Sequence, residues 1–198
     1  MATVETIRMS PEQYLVRERQ ASFKSEYYQG EVFAMAGASE SHNLIVSNCI
    51  VTLGTQLRQR QCRVYPRDLR LRIPRTGLFT YPDLMIVCGE PQFEYDRRDV
   101  ITNPIVLVEV LSNSTEAYDR GVKFEQYRTL ESLKQYVLIA QDRVSIESYR
   151  KTEEGDWILS AAGDLQHIHR LDSIESTLAL ADVYDKVVFP DTAGSTRS

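Results

Sequence analysis

Residues 104 to 112 read Pro-Ile-Val-Leu-Val-Glu-Val-Leu-Ser, an aliphatic run with none of the apolar and polar alternation of a half-exposed strand. A continuous run of this kind predicts a strand withdrawn from water on both faces. Glu109 nevertheless stands inside it, and Asp83 opens a second such run, Tyr81-Pro82-Asp83-Leu84-Met85-Ile86-Val87. A lone buried carboxylate costs several kcal/mol, on the order of a lost solvation shell, or else takes up a proton. Both groups therefore need compensation, and a divalent cation held between two neighbouring strands would supply it. Lys123 follows on a predicted helix. Asp, Glu and Lys at these intervals point to metal-assisted hydrolysis. Asp83 alone could merely end a turn after Pro82, but Glu109 inside an aliphatic strand has no such ordinary explanation.

The 198 residues, 42% hydrophobic and 26% charged, suit one well-packed domain, expected over 1–190, followed by a disordered tail over 191–198. A net charge of -5 gives no general attraction to nucleic acid or anionic lipid, so any DNA contact must rest on a local basic patch. The three cysteines, Cys49, Cys62 and Cys88, lack zinc-type spacing and are odd in number, which suits reduced thiols in a cytoplasm. No apolar run approaches the roughly 20 residues of a membrane span. A soluble, cytoplasmic protein with no membrane partner is expected.

Ser10-Pro11-Glu12-Gln13 predicts a helix start with a capping box, and the helix runs to about Arg19. Phe23 to Tyr28 and Glu31 to Met35 flank Gln29-Gly30 as a tight hairpin. Ser39 caps a long helix from about Glu40 to Arg60, with Leu44, Ile45, Asn48, Val51, Thr52 and Thr55 expected to lie against a sheet. Arg63-Val64-Tyr65 and Asp68 to Ile73 read as strands, the second alternating and half exposed, before a turn at Pro74 to Gly77. The excursion from Cys88 to Asn103 is a candidate lid or substrate loop. A helix from about Glu116 to Leu130 separates two strands, which predicts a right-handed crossover. Val144 to Tyr149 and Trp157 to Ala161 form a later hairpin. The expected architecture is α/β, a mixed sheet flanked by helices.

These features resemble the restriction-endonuclease-like family called Uma-two, common in cyanobacteria, within the PD-(D/E)XK nuclease superfamily. The resemblance covers roughly residues 10 to 150. It rests on Glu26 and Gly30-Glu31, on His42, on Pro82-Asp83, on Glu109-Val110-Leu111-Ser112, and on Asp119 with Lys123 and Tyr127. The usual superfamily pattern places lysine two residues after the acid, where this chain has Leu111. In the Uma-two family a lysine on the following helix takes that part, and Lys123 matches it. The implied fold is a restriction-endonuclease-like mixed sheet with an added N-terminal hairpin and a C-terminal β-hairpin.

The implied activity is a Mg²⁺- or Mn²⁺-dependent endonuclease, with DNA favoured as substrate and a homodimer admitted because two strands need two cuts. Asp83, Glu109 and the backbone carbonyl of Val110 would hold the metal, since Mg²⁺ takes a few oxygens and keeps waters. Lys123 would position the attacking water. On a helix Asp119, Lys123 and Tyr127 share one stripe. Glu31 is expected to border the same cleft, as a supporting acid or a second metal ligand. His42 reads as a hydrogen-bonding histidine near a helix start, and His167 and His169 as surface residues of a late strand. Arg58, Arg60, Arg63, Arg67, Arg70 and Arg72 form the one candidate phosphate-contacting band, equally readable as a solvated strand face. Two further readings stay open: a weak or inactive nuclease-fold protein acting as a binding or regulatory module, and a structural protein in which an arginine neutralises Glu109.

Overall fold

The computed structural model describes residues 8–189, so the tail 191–198 lies outside the described residues. Helix α1 (Pro11–Glu18) starts at the predicted capping box, in which the Gln13 N–H donates to the Ser10 hydroxyl and the Ser10 N–H donates to the Gln13 side chain. Strands β1 (Ser25–Tyr28) and β2 (Glu31–Ala34) turn on Gln29 and Gly30, both at positive φ, the conformation that glycine supplies without strain. Helix α2 (Glu40–Leu57) begins where the Ser39 hydroxyl accepts the His42 N–H.

Five strands follow: β3 (Cys62–Pro66), β4 (Arg70–Ile73), β5 (Leu78–Thr80), β6 (Leu84–Cys88) and the short β7 (Val100–Ile101). Strand β8 (Val106–Leu111) then leads into a helical segment made of α3 (Glu116–Tyr118), a π-helical turn over Asp119–Lys123, and α4 (Phe124–Tyr127). The chain continues through β9 (Gln135–Ala140), β10 (Ile146–Lys151), β11 (Trp157–Ala162), β12 (Ile168–Leu171), β13 (Ser176–Ala179) and α5 (Leu180–Val183).

The main sheet runs β11-β10-β9-β8-β6-β3. Its strands pair antiparallel except β8 with β9, which are parallel across the helical segment, as a strand-helix-strand order requires. The hairpin β1–β2 belongs to a second sheet, β2-β1-β5-β4-β7, and β12 with β13 makes a separate two-stranded ribbon. The continuous apolar runs of β6, β8 and β9 are explained by two cores, one on each face of the main sheet. Leu84, Ile86, Val106, Val108, Val137 and Ile139 point toward α2, while Met85, Leu107, Leu111, Tyr136 and Leu138 pack with β4, β5 and α4. Among the described residues no helix is long and apolar enough to cross a membrane.

Several expectations are corrected by packing. The buried stripe of α2 is His42, Ile45, Cys49, Leu53 and Leu57, whereas Val51 is 68% exposed and Thr55 lies in water. Positions 44, 48, 51 and 55 form an adjacent helical stripe, and the more apolar Cys49 and Leu53 decide which one meets the sheet. Strand β4 is not half exposed, because it lies between β5 and β7 and its Arg70, Leu71 and Ile73 are all buried. Cys62 and Cys88 are not free thiols: the β3–β6 register sets them directly opposite, joined in a disulfide, and only Cys49 is free. Leu53 has no exposed surface between α2 and the sheet, so Leu53→Ala should cost about 2–5 kcal/mol of unfolding free energy in a urea titration.

Candidate active site

Strand register brings the two carboxylates together. Leu84 pairs with Val108 in the antiparallel β6–β8 ladder, so Asp83, one residue before β6, comes opposite Glu109 on the same face of the sheet. That face is the one shared by Leu107 and Leu111, toward the helical segment. The Asp83 N–H donates to Glu109 Oε2 at 3.4 Å, and the Val110 N–H donates to Asp83 Oδ2 at 2.8 Å. His42, on the first turn of α2, places Nε2 3.0 Å from the same Asp83 oxygen. Two partners thus fix Oδ2, and among the described residues Oδ1 is left with Arg67 Nε at 3.8 Å.

The helical segment supplies the rest. Asp119, Lys123 and Tyr127 are each buried, and the π-helical turn between 119 and 123 carries the first two over the end of β8. Lys123 Nζ lies 2.9 Å from Glu109 Oε1, 3.3 Å from Asp119 Oδ1 and 3.4 Å from Glu26 Oε1. The Tyr127 hydroxyl donates to Glu109 Oε1 at 2.6 Å. Glu26 comes from β1, where Thr80 also donates to it. One ammonium therefore serves three carboxylates contributed by a hairpin, a central strand and a helix.

The charge balance follows from that arrangement. Burial would strip the proton from Lys123, but Glu109, Glu26 and Asp119 outweigh it and hold the amine protonated well above its ordinary range. Burial, with Asp83 and Asp119 as like charges, pushes the Glu109 carboxyl up to about 8 against the pull of Lys123. Asp119 is raised by burial in the same way. Burial also works against Asp83, yet His42, the Val110 N–H and Lys123 together hold it below the usual carboxylate range. The cluster carries more negative than positive charge, and Glu109 is where the imbalance shows.

These groups line a cavity of about 420 Å³ walled by 33–39 on one side and 112–119 on the other. Among the described residues no three His, Cys, Asp or Glu side chains converge as a ready metal site, since Lys123 sits among the acids. The donor set still fits a hard divalent cation. Two carboxylates on neighbouring strands and the Val110 position beside them are what Mg²⁺ needs when it keeps several waters, and the excess negative charge is what it would neutralise.

Other expected residues fall elsewhere. Glu31 does not border the cavity: as the first residue of β2 it pairs with Tyr28 at the turn end of the hairpin and is exposed, and Glu26 on the other strand occupies the cleft instead. The arginine band does not form. Arg60 donates to the Ile174 carbonyl, Arg63 to the Gly89 carbonyl, Arg70 to Tyr81 and Asp99, and Arg72 to Glu94, which leaves Arg67 alone at the cavity. The excursion after Cys88 is no lid, because β7 within it pairs with β4 in the second sheet and none of its residues lines the cavity. His169 is buried, with Nε2 2.8 Å from Ser148 Oγ, so it is a core histidine rather than a surface one. Sequence reasoning gave no role to Phe33 and Tyr118, which also line the cavity and carry no motif signal.

Comparison with known proteins gives the family and the fold. The family described as "Uma2: Putative restriction endonuclease" matches residues 11–182. Two uncharacterized proteins of Synechocystis sp. are 37% identical over 81% of this chain and 90% of the relative, and 38% identical over 77% and 79%. In three dimensions the chain is similar to the crystal structure of a putative nuclease belonging to DUF820 from Anabaena variabilis, with a TM-score of 0.70 at 17% identity over 89% of this chain and 98% of that one. The fold is that of the restriction-endonuclease-like nucleases.

Proposed function

The chain belongs to the Uma2 family of restriction-endonuclease-like proteins, and on that premise we propose that the cluster around Asp83, Glu109 and Lys123 hydrolyses phosphodiester bonds of nucleic acid, DNA in the first instance. The observation that supports this best is the shared face of Asp83 and Glu109 with Lys123 Nζ 2.9 Å from the latter. Acid, acid and amine meet as in the superfamily pattern, although the lysine arrives from a helix.

Asp83, Glu109 and the Val110 carbonyl would hold Mg²⁺ or Mn²⁺, which supplies water activation near neutral pH and charge stabilisation on the scissile phosphate. The chain's own groups do the positioning. His42 Nε2 and the Val110 N–H hold Asp83 Oδ2 so that Oδ1 turns to the cavity. The Tyr127 hydroxyl holds Glu109 Oε1. Lys123, with three carboxylates to keep it protonated, is a donor able to orient the attacking water or meet a phosphate oxygen.

One observation favours a second reading, a weak or inactive nuclease-fold protein acting as a binding module. Lys123 already compensates part of the acid charge, so the cluster can persist as a structural ion-pair network. Incubation of wild-type protein with plasmid and oligonucleotide substrates separates the two. Cleavage that needs Mg²⁺ or Mn²⁺ and stops with EDTA is the expected result, and nucleic-acid binding without cleavage under every metal would leave the second reading standing.

A further inference from the structure

We infer that this cavity takes an unpaired strand of nucleic acid rather than an intact duplex, an inference that rests on the nuclease reading of the same site. The acids and the amine lie at its floor: Asp83, Glu109, Asp119 and Lys123 are each no more than 5% exposed. A duplex presents its phosphates on a broad, stiff convex surface, and lowering one of them to the floor of a cavity of about 420 Å³ costs bending or local opening of the helix. An already unpaired strand avoids that cost.

The distribution of positive charge agrees. Duplex affinity is built on many phosphate contacts along an open basic face. Here the net charge is -5, and of the arginines that could have formed such a face Arg60, Arg63, Arg70 and Arg72 are occupied one by one elsewhere in the fold. Among the described residues Arg67 is the arginine that lines the cavity. Its Nε is buried without a hydrogen-bond partner among the described residues, 3.8 Å from Asp83 Oδ1. A buried guanidinium N–H left without an acceptor suits a single phosphate placed beside the acids.

Two aromatic rings complete the site. Phe33 is 49% exposed and Tyr118 is 36% exposed, and both line the cavity. Phe33 sits on the edge strand β2 directly opposite Glu26, hence on the cavity face of the hairpin, whereas its neighbour Val32 packs into the small core around Tyr14 and Tyr27. Single exposed apolar side chains need no explanation, but two rings that line one cavity together with an arginine and buried acids offer stacking surfaces beside a phosphate contact. Stacking accepts any base, because every base has a π-face, and it is open only to bases that are not already paired. The Tyr118 hydroxyl donates to Glu26 Oε2 at 3.3 Å, which fixes that ring in place.

The test is fluorescence anisotropy with a labelled deoxyoligonucleotide, single-stranded and annealed to its complement, in Ca²⁺ with strand integrity checked on a gel. The single strand should bind roughly tenfold tighter than the duplex, and Phe33→Ala should weaken single-strand binding by about fivefold or more with unchanged circular dichroism. Equal or tighter duplex binding, or a Phe33→Ala protein that binds the single strand as wild type does, overturns the inference. A parallel cleavage arm in Mg²⁺ keeps the two claims apart. Cleavage confined to the duplex overturns the strand preference and leaves the nuclease reading, while preferential single-strand binding with no cleavage of either form overturns the nuclease reading alone.

Discussion

Asp83→Ala should lower metal-dependent cleavage by about a hundredfold or more, the scale expected when a group that stabilises the transition state through a cation is removed. Thermal unfolding supplies an independent measurement. A cation bound only by the native protein stabilises it by about 2.7 kcal/mol at a hundred times its Kd, so Mg²⁺ or Mn²⁺ should raise the Tm of wild type and leave Asp83→Ala unmoved. Removing Asp83 leaves the buried Val110 N–H without its acceptor but also relieves repulsion on Glu109, so the metal-free Tm should change little. Asp83→Asn keeps an acceptor for that N–H while deleting the charge, and should lose both activity and the metal shift. A metal-induced Tm rise that survives in both variants would place the cation elsewhere in the protein.

The parts of the fold that were legible in the sequence are those where one local rule acts without competition. Ser10 and Gln13 cap α1 because the hydroxyl reaches the Gln13 N–H and the amide reaches back to the Ser10 N–H, and Gln29-Gly30 turns the hairpin because Gly30 takes positive φ without strain. Asp83 and Glu109 stood out because charge inside an aliphatic run is costly wherever the strand pairs. What escaped was decided by pairing between distant segments. Nothing local distinguishes Glu26 from Glu31, and only the β1–β5 pairing, with Tyr27 opposite Phe79, sends Glu26 into the cleft. Cys62 and Cys88 are 26 residues apart and meet through the β3–β6 register. The arginines cluster in sequence but are carried by the end of α2, by β3 in one sheet, by β4 in the other and by the turns between them, so they do not gather on one face. Phe33 reads as an ordinary strand residue until the hairpin's cavity face is known.

Lys123→Ala should have the largest effect on stability of any substitution in the cluster, because Lys123 is the cation within reach of three buried carboxylates, Glu26, Glu109 and Asp119. Removing one partner of a buried pair leaves uncompensated charge, at a cost of about 3–5 kcal/mol. Its 5% exposure makes this lysine structural as well as chemical. The loss should grow with pH. Glu109 has a folded pKa raised to about 8, above its unfolded value, so its favourable contribution is complete below roughly pH 4.3 and is lost as pH rises toward 8. Without the ammonium that pKa rises further and the loss runs on to higher pH, so urea titrations in EDTA at several pH values should show the gap between wild type and Lys123→Ala widening above about pH 8. Lys123→Arg separates structure from chemistry. A guanidinium restores the positive charge and should recover much of the stability, yet its planar, always protonated fork cannot stand where a compact amine orients a water, so cleavage should stay low. Lys123→Ala unfolding at wild-type urea concentrations would show that the acids are compensated by other groups, and Lys123→Arg cleaving at the wild-type rate would reduce the lysine's part to charge alone.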